Sequence, residues 1–478
     1  MNSIYKALEV NNLYYRYPNR DWIIRGVDLS IERGEQVLVI GETGSGKTTL
    51  CRILSGIAIP IYGGELKGVI RVLGKNIEEY SLTELPRRIH VIGQNPYLYF
   101  TEMLVYDDLY NYALSIYGDK DKAHRALSKV VEAFSIHRLL DKYFFELSGG
   151  EAKRVLVAKA LIGDPEILLF DEPLMWLDEY GVRDIIAVLH ILRRLGKTVI
   201  IFEHRFLPLV DRVDRVFLLC NGKLVEIAPN LRKKFPRYRE ASIRTKPSSP
   251  ISEGRDYVVF ARSIYFSYSD KRVLNGVSIT IGYGDKVFIY GANGSGKTTL
   301  LKILSGYLKP DRGFVKKHGD VIYVPQNVLL FYTEDTVERE VIELCKSRGK
   351  GKECIEDGLK RAKSYGIDPR DSPFTLSHGQ MIKLALELAL VSGADIILVD
   401  EPFSGISYHD RVELLNKIAS SKASVIVSSS WVEPATMGIW DKKYLLENGV
   451  LYELEVVDST SIVEIAEIYK SLYGGDLA

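Results

Sequence analysis

Short apolar runs alternate with amphipathic segments along this chain, and both halves show them in the same order. The runs QVLVI (36–40) and KVFIY (286–290) each lead into a glycine-rich loop, and apolar residues then recur at helical spacing in TTLCRILSG and TTLLKILSG. Such runs predict buried strands and such spacing predicts amphipathic helices, so the pattern predicts an α/β fold. No segment reaches the roughly 18–20 uninterrupted apolar residues that a membrane-spanning helix needs.

Three motifs occur twice in the same order. GETGSGKTTL (41–50) returns as GANGSGKTTL (291–300), LSGGE returns as LSHGQ, and LLFDEP returns as ILVDEP. Ser148 lies as far from Asp171 as Ser377 lies from Asp400. A fixed spacing between motifs indicates a duplicated domain, and the length of the chain suits two domains.

One interval differs between the copies, because Gln326 follows Lys297 more closely than Gln94 follows Lys47. The segment missing from the second copy corresponds to YGGELKGVIRVLGKNIEEYSL, an alternating strand pattern with glycine punctuation. We therefore expect the second copy to have lost part of a small β-subdomain and to have kept its nucleotide core.

The repeat predicts a first domain over 1–231, a linker over 232–254 and a second domain over 255–478. The linker is rich in Pro, Ser and basic residues, a composition typical of connectors. Its RKKFPRYR run could contact phosphate head groups or RNA, but we favour a solvated connector.

The C-terminal segment has a helical pattern of its own. Ser461 and Glu464 form a capping-box pair, and the apolar face that follows consists of Ile462, Ile465, Tyr469 and Leu472. We expect a helix that closes the core of the second domain, with a partner-binding face as the alternative.

Charge and cysteine content indicate which classes of partner and which cellular compartment to expect. The formal net charge is +1, so no global field attracts nucleic acid. The cysteines are scattered without a CxxC pair (Cys51, Cys220, Cys345 and Cys354), which predicts reduced thiols rather than a metal site or a disulfide. The N-terminus lacks the regions of a signal peptide. We expect a cytosolic chain, or one held at a membrane by a partner.

The glycine-rich loops lie between a strand and a helix, which is the context of a phosphate-binding P-loop. Glycines let backbone N–H groups close around phosphates, and the helix N-terminus adds favourable partial charge. Lys47 and Lys297 can reach the β- and γ-phosphates of ATP, and Thr48 and Thr298 can bind Mg²⁺. The other predicted nucleotide contacts are Gly41, Gly44, Ser45, Gly46 and Thr49 in the first copy and Gly291, Asn293, Gly294, Ser295, Gly296 and Thr299 in the second.

The apolar runs ILLFDEP and IILVDEP end in adjacent carboxylates. Asp171 and Asp400 are predicted to hold Mg²⁺, and Glu172 and Glu401 to orient or deprotonate the attacking water.

LSGGE and LSHGQ precede helical patterns, so Ser148, Gly150, Ser377 and Gly379 lie at helix N-termini. A P-loop already covers one side of each nucleotide. The signature of one domain is therefore predicted to cap the γ-phosphate held by the other.

Together these motifs resemble the ATP-binding cassette (ABC) ATPases over essentially the whole chain. The resemblance implies an α/β fold of two P-loop NTPase modules in tandem, each with a RecA-like core, a helical subdomain and a small antiparallel β-subdomain that is trimmed in the second. It also implies head-to-tail pairing of the modules.

The resemblance assigns further roles. Tyr17 and Tyr268 correspond to the aromatic residue that stacks on adenine, and Asp178 to the D-loop aspartate. Gln94 and Gln326 correspond to the glutamine that contacts Mg²⁺ and senses the transport subunit. His204 corresponds to the switch histidine that contacts the γ-phosphate.

The second module departs from the family pattern at His378, Ser407 and Ser430, which replace a signature glycine, the D-loop aspartate and the switch histidine. Head-to-tail pairing distributes these changes over both ATP sites. Site one keeps Glu172 and His204, so we expect it to hydrolyse ATP faster than site two.

The tandem length, YGGELKG and GQNPYLYF are similar to the fused double ATPases of energy-coupling factor (ECF) transporters. That family implies an integral membrane scaffold and a substrate-binding membrane subunit, import of a vitamin, a vitamin precursor or a metal ion, and a peripheral place on the cytoplasmic face. NPYLYF and NVLLFY could form a groove for a partner's helix or pack into the core. The alternatives are a tandem ATPase of a sugar importer and a soluble ribosome-associated ABC protein.

Overall fold

The computed structural model describes residues 6–42, 44–81, 83–175, 177–233, 235, 242–247, 256–459 and 461–467. The chain divides into two compact units, with the boundary between residues 238 and 239. Each unit has its own hydrophobic core.

The first unit begins with two long antiparallel strands and continues as alternating strands and helices. Its strands are β1 (Lys6–Arg16), β2 (Ile24–Glu32), β3 (Gln36–Ile40), β4 (Glu65–Val72), β5 (Lys75–Asn76), β6 (Ile89–Ile92), β7 (Ile167–Asp171), β8 (Thr198–Glu203), β9 (Arg215–Cys220) and β10 (Lys223–Glu226). Its helices are α1 (Lys47–Leu54), α2 (Val105–Tyr117), α3 (Lys120–Phe134), α4 (Gly149–Ile162), α5 (Glu179–Arg194), α6 (Leu207–Val210) and α7 (Pro229–Arg232).

These strands form two sheets. The central sheet has the order β10-β9-β3-β8-β7-β6, and every pair except β10–β9 is parallel. Parallel strands covered on both faces are typically near-continuous apolar runs, and β3 and β7 are buried along their whole length and apolar except at Gln36 and Asp171. The second sheet, β2-β1-β4-β5, is antiparallel.

The second unit repeats this order with fewer elements. Its strands are β11 (Ser242–Pro247), β12 (Val259–Tyr268), β13 (Lys271–Ile281), β14 (Lys286–Tyr290), β15 (Arg312–Lys317), β16 (Val321–Val324), β17 (Ile396–Asp400), β18 (Ser424–Ser429), β19 (Lys442–Glu447) and β20 (Val450–Asp458). Its helices are α8 (Lys297–Ser305), α9 (Val337–Ser347), α10 (Lys352–Ser364), α11 (His378–Val391) and α12 (Tyr408–Ser420).

The sheets of the second unit have the orders β11-β20-β19-β14-β18-β17-β16 and β13-β12-β15. The prediction of an α/β fold with two P-loop NTPase modules in tandem is confirmed. Among the described residues the small antiparallel sheet has three strands here against four in the first unit, as the shortened interval predicted. Within the same residues, no helix is both long and apolar enough to cross a membrane.

Part of the segment predicted to be a solvated connector is a strand. Residues 242–247 pair antiparallel with β20, where Thr245 lies opposite Leu454. The segment is therefore an edge strand of the second unit's central sheet. Most of the RKKFPRYR run lies outside the described residues.

The predicted C-terminal helix is described over residues 462–467. The Ser461 hydroxyl accepts a hydrogen bond from the Glu464 N–H (3.5 Å), and Ile462 and Ile465 are buried. Tyr469 and Leu472 lie outside the described residues.

The prediction of four reduced cysteines is wrong for two of them. Cys345, at the end of α9, and Cys354, in α10, form a disulfide, whereas Cys51 and Cys220 are free. The bonded cysteines lie nine positions apart in sequence. The two thiols meet because α9 and α10 pack as an antiparallel hairpin. No cysteine-spacing motif predicts that packing.

Candidate functional site

The first P-loop closes around its own lysine. Gly46 is the N-cap of α1 and has a φ of 101°, a conformation that a side chain would oppose. The Lys47 ammonium is buried and donates to the carbonyls of Gly41 and Glu42 (2.8 Å each). Burial lowers the pKa of Lys47, and Glu172 opposes the shift. The Ser45 hydroxyl is buried without a hydrogen-bond partner, as expected of a loop shaped to receive an oxygen-rich ligand.

The second P-loop repeats this geometry. The Lys297 ammonium donates to the carbonyls of Gly291 and Ala292 at 2.7 and 2.9 Å, and it lies 3.2 Å from the Glu401 carboxylate. The Ser295 hydroxyl is also buried without a partner. Both predicted P-loops are thus formed, with Thr48, Thr49, Thr298 and Thr299 in the first turns of α1 and α8.

The aspartates predicted to hold Mg²⁺ differ in their neighbours. The Thr48 hydroxyl donates to the Asp171 carboxylate (3.1 Å), a hydroxyl and carboxylate pair that suits Mg²⁺. Burial and the adjacent Glu172 raise the pKa of Asp171 to about 6. The Asp400 carboxylate accepts hydrogen bonds from Ser428 (2.6 Å) and Tyr323 (3.1 Å).

Glu172 sits in a strained turn among charged groups. Its φ is 48°, a left-handed conformation that is unfavourable for a residue with a side chain. Its carboxylate lies 3.8 Å from the Lys47 ammonium and 3.5 Å from Nδ1 of His204. Burial alone would raise its pKa, but His204, Lys47 and Lys153 hold the pKa of Glu172 at about 2. The carboxylate is therefore ionised, and it lies between the P-loop lysine and His204.

Glu401 has the same strained backbone as Glu172, but its carboxylate has different hydrogen-bond partners. Its φ is 52°, and its carboxylate accepts hydrogen bonds from the N–H (2.9 Å) and the hydroxyl (3.2 Å) of Ser430. Ser430 therefore occupies the place of His204, as the sequence indicated.

The signature motifs cap helices. Ser148 and Ser377 are the N-caps of α4 and α11, each in a capping box with the residue three positions later. A side chain at Gly150 would lie 2.5 Å from the Asp184 carboxylate, whereas Gly379 has more room. His378 bonds through Nε2 with the Ser404 carbonyl (3.2 Å). Among the described residues, no hydrogen bond joins Ser148 or Ser377 to the P-loop of its own unit.

The remaining predicted residues differ in burial and in contacts. The Tyr17 hydroxyl accepts from Arg52 (3.0 Å) and lies 3.3 Å from the Thr49 hydroxyl, whereas Tyr268 is exposed. Gln94 is half-buried and Gln326 is exposed. Asp178 and Ser407 are the N-caps of α5 and α12, so the replacement keeps the capping function.

Sequence reasoning missed several polar residues near these groups: the buried Lys153, Glu203 and Ser428 and the half-buried Tyr323. A charge inside an apolar run, such as Glu203 at the end of TVIIFE, was an available signal. Burial lowers the pKa of Lys153 to about 8, although Glu203 opposes the shift. Burial and Asp400 raise the pKa of Tyr323, so its hydroxyl keeps its proton and donates.

Known proteins share this architecture. A family model described as ABC transporter matches residues 24–175 and 274–404, more than half of the chain. A Sulfurisphaera tokodaii protein named as an ABC transporter ATP-binding protein is 29% identical over 461 residues, covering 92% of this chain and 96% of that protein. A Treponema denticola protein of the same name is 28% identical over 481 residues, covering 93% and 96%. A solved structure named RNase-L Inhibitor has a TM-score of 0.61 at 22% identity, covering 94% of this chain and 91% of that one, and this likeness concerns the fold alone.

Proposed function

The chain belongs to the ABC transporter family, and from this we propose that it is the ATP-binding and ATP-hydrolysing subunit of a membrane transporter. The observation that carries the proposal is the group around Glu172, whose ionised carboxylate faces both the P-loop lysine and His204. A buried carboxylate beside a phosphate cradle is the arrangement that directs a water molecule at a γ-phosphate.

Each P-loop binds the phosphates of ATP with its N–H groups and lysine, and Tyr17 and Tyr268 support the adenine. Mg²⁺ would be held by Thr48, Gln94 and Asp171 in one module and by Thr298, Gln326 and Asp400 in the other. When bound, it neutralises charge on the β- and γ-phosphates. Glu172 and Glu401 orient water, and His204 contacts the γ-phosphate.

The family resemblance implies head-to-tail pairing of the modules, in which each ATP site would combine one P-loop with the other module's signature serine. Site one would then contain Lys47, Glu172 and His204 with Ser377 and Gly379. Site two would contain Lys297 and Glu401 with Ser148 and Gly150. Site one hydrolyses ATP faster, because His204 is replaced at site two by a serine whose hydroxyl and N–H bind the Glu401 carboxylate.

The asymmetry is tested by comparing Glu172→Gln with Glu401→Gln in ATPase assays. Loss of a positioned base typically lowers the rate about 10²–10⁴-fold, so Glu172→Gln should abolish most turnover and Glu401→Gln should leave most of it. A larger loss from Glu401→Gln would reverse the assignment of the sites.

The transporter is of the ECF type, with an integral membrane scaffold, a substrate-binding subunit and a vitamin, vitamin precursor or metal ion as its cargo. In support, the segments after the two Q-loop glutamines expose apolar side chains: Leu98 is 79% and Leu330 is 74% exposed. Core packing does not account for them, whereas a groove for a partner's helix does. The ATPase sits peripherally on the cytoplasmic face of the membrane.

Affinity purification from membranes of the source cells tests this assignment. A membrane scaffold should co-purify with the wild-type chain, and Leu98→Asp with Leu330→Asp should release it while leaving basal ATPase activity unchanged. Sedimentation with ribosomes, and no membrane partner, would favour the ribosome-associated alternative. Co-purification with the permease of a sugar importer would replace the ECF assignment.

A further inference from the structure

A single buried carboxylate joins the two turns that carry the catalytic groups of the first unit. Glu203 is fully buried at the end of β8. One of its carboxylate oxygens accepts hydrogen bonds from the N–H groups of His204 and Arg205 (2.9 Å each). The other accepts a hydrogen bond from the N–H of Leu174 (3.0 Å). The turn that presents His204 is thereby fixed to the turn that follows Glu172.

A buried ammonium holds the same turn from the other side. Lys153, in α4, is 1% exposed. It donates to the carbonyls of Glu172 (3.4 Å), Pro173 and Met175 (3.5 Å). A charge buried this deeply is costly unless carbonyls and an opposite charge compensate it, and Glu203 is a carboxylate that interacts with it electrostatically. Lys153 and Glu203 therefore hold the carbonyls and the N–H of one turn.

The second unit lacks both charges. Ile382 follows Ser377 at the distance at which Lys153 follows Ser148, and Ser429 ends β18 as Glu203 ends β8. There the carboxylate of Glu401 itself accepts the N–H of the turn after the strand, at Ser430. In the first unit Glu203 accepts the hydrogen bond from the corresponding N–H of His204 and also lies 3.2 Å from Nδ1 of its ring. The Glu172 carboxylate does not bond to that N–H and lies 3.5 Å from the same Nδ1.

We propose that Lys153 and Glu203 are positioning residues that keep the Glu172 carboxylate turned toward His204 and the phosphates, and so account for faster hydrolysis at site one. This inference rests on the proposed role of Glu172 in ATP hydrolysis. The hydrogen bonds of both side chains go to the backbone of these turns, so we expect both residues to act on the chemical step more than on nucleotide binding.

The test exchanges each residue for its counterpart in the second unit. Lys153→Ile and Glu203→Ser should each lower kcat about 10–100-fold while the KM for ATP changes less than about threefold. The double variant should lose less than the product of the two single losses, because it leaves no buried charge alone. Glu203→Gln, which keeps one acceptor oxygen, should lose about 3–10-fold and provides a milder variant if the others unfold.

Lys159→Met is the matched control, because it removes another buried lysine of α4 whose ammonium binds Asp108 and the Tyr99 carbonyl. It should lower the melting temperature and leave kcat unchanged. Folded Lys153→Ile and Glu203→Gln variants with the wild-type kcat, or losses confined to KM, would overturn the inference. If Glu172→Gln keeps full activity, the proposed function fails instead.

Discussion

At the scale of single residues, the duplicated modules show how one position acquires different chemistry. Val91 and Tyr323 lie in equivalent strands, β6 and β16, three residues before the Q-loop glutamine. Only Tyr323 has a hydroxyl, which donates to the Asp400 carboxylate. If Asp400 holds Mg²⁺ as proposed, the Tyr323 hydroxyl competes with the ion for this carboxylate.

Tyr323→Phe should strengthen Mg²⁺-dependent binding of ATP at site two. A hydrogen bond to a charged group contributes about 1.5–3 kcal/mol, so the concentration of Mg²⁺ required should fall about 10–100-fold. The Mg²⁺ requirement is measured by titrating Mg²⁺ into the protein with a fluorescent ATP analogue, in the Glu172→Gln background. Val91→Ala is the control, and a Mg²⁺ requirement unchanged by Tyr323→Phe would show that the hydroxyl does not compete with the metal.

At the scale of helices, a set of charges replaces an apolar contact. Glu387 of α11 is 1% exposed and binds Arg361 of α10 (2.7 Å), Lys417 of α12 and the Tyr365 hydroxyl (2.8 Å). Distance from the signature serines and from the N-caps of α5 and α12 aligns Glu387 with Ala158 and Lys417 with Val188. The matching backbone hydrogen bonds after α3 and α10, from Ile136 to Val131 and from Ile367 to Ala362, align Arg361 with Val130. All three corresponding residues of the first unit are apolar. Burial would raise the pKa of Glu387, but Lys417, Arg361 and Tyr365 lower it.

This network makes the second unit sensitive to acid. Because the pKa of Glu387 is lower in the folded state, its contribution to stability is present above the ordinary carboxyl pKa of about 4.3 and is lost as the pH falls through the folded value. Glu387→Ala should cost about 2–4 kcal/mol at pH 7, since it leaves partly buried cations alone.

The triple change Arg361→Val, Glu387→Ala and Lys417→Val copies the first unit and is the matched control. Replacing a buried ion network by apolar residues is often neutral or stabilising, so this variant should recover most of the loss and show a weaker dependence on pH. Thermal unfolding between pH 3 and 7 checks both. A triple variant no more stable than Glu387→Ala would show that packing, not charge, holds these helices together.

At the scale of the whole molecule, the strand β11 belongs to the central sheet of the second unit, although it lies in the segment predicted to link the modules. Hydrogen exchange should find amides of residues 242–247 protected together with those of β20, since they form one ladder. A solvated connector would exchange them within seconds. Uniformly fast exchange over 242–247, with slow exchange in β19, would show that the strand does not form in solution.

The sequence was sufficient where local chemistry determines structure. The two P-loops, the strands that end in Asp171 and Asp400, and the loss of one small strand all follow from motifs and spacing. The edge strand β11 was missed because SIRTKP is polar and contains a proline, which edge strands tolerate. Tyr323 and Ser428 were missed because they reach Asp400 only through sheet order, where β16 and β18 flank β17.

The left-handed backbone of Glu172 and Glu401 predicts an inverted mutational preference. At most buried positions alanine is better tolerated than glycine, because glycine loses more entropy on folding. Here an alanine keeps the strain of roughly 1–2 kcal/mol that the Cβ imposes, whereas a glycine relieves it. A stability scan should therefore rank Glu172→Gly and Glu401→Gly above the matching alanine variants. At Glu172 and Glu401, the substitution that improves thermostability is thus one that removes the side chain needed for turnover. A stability measurement alone can identify both positions.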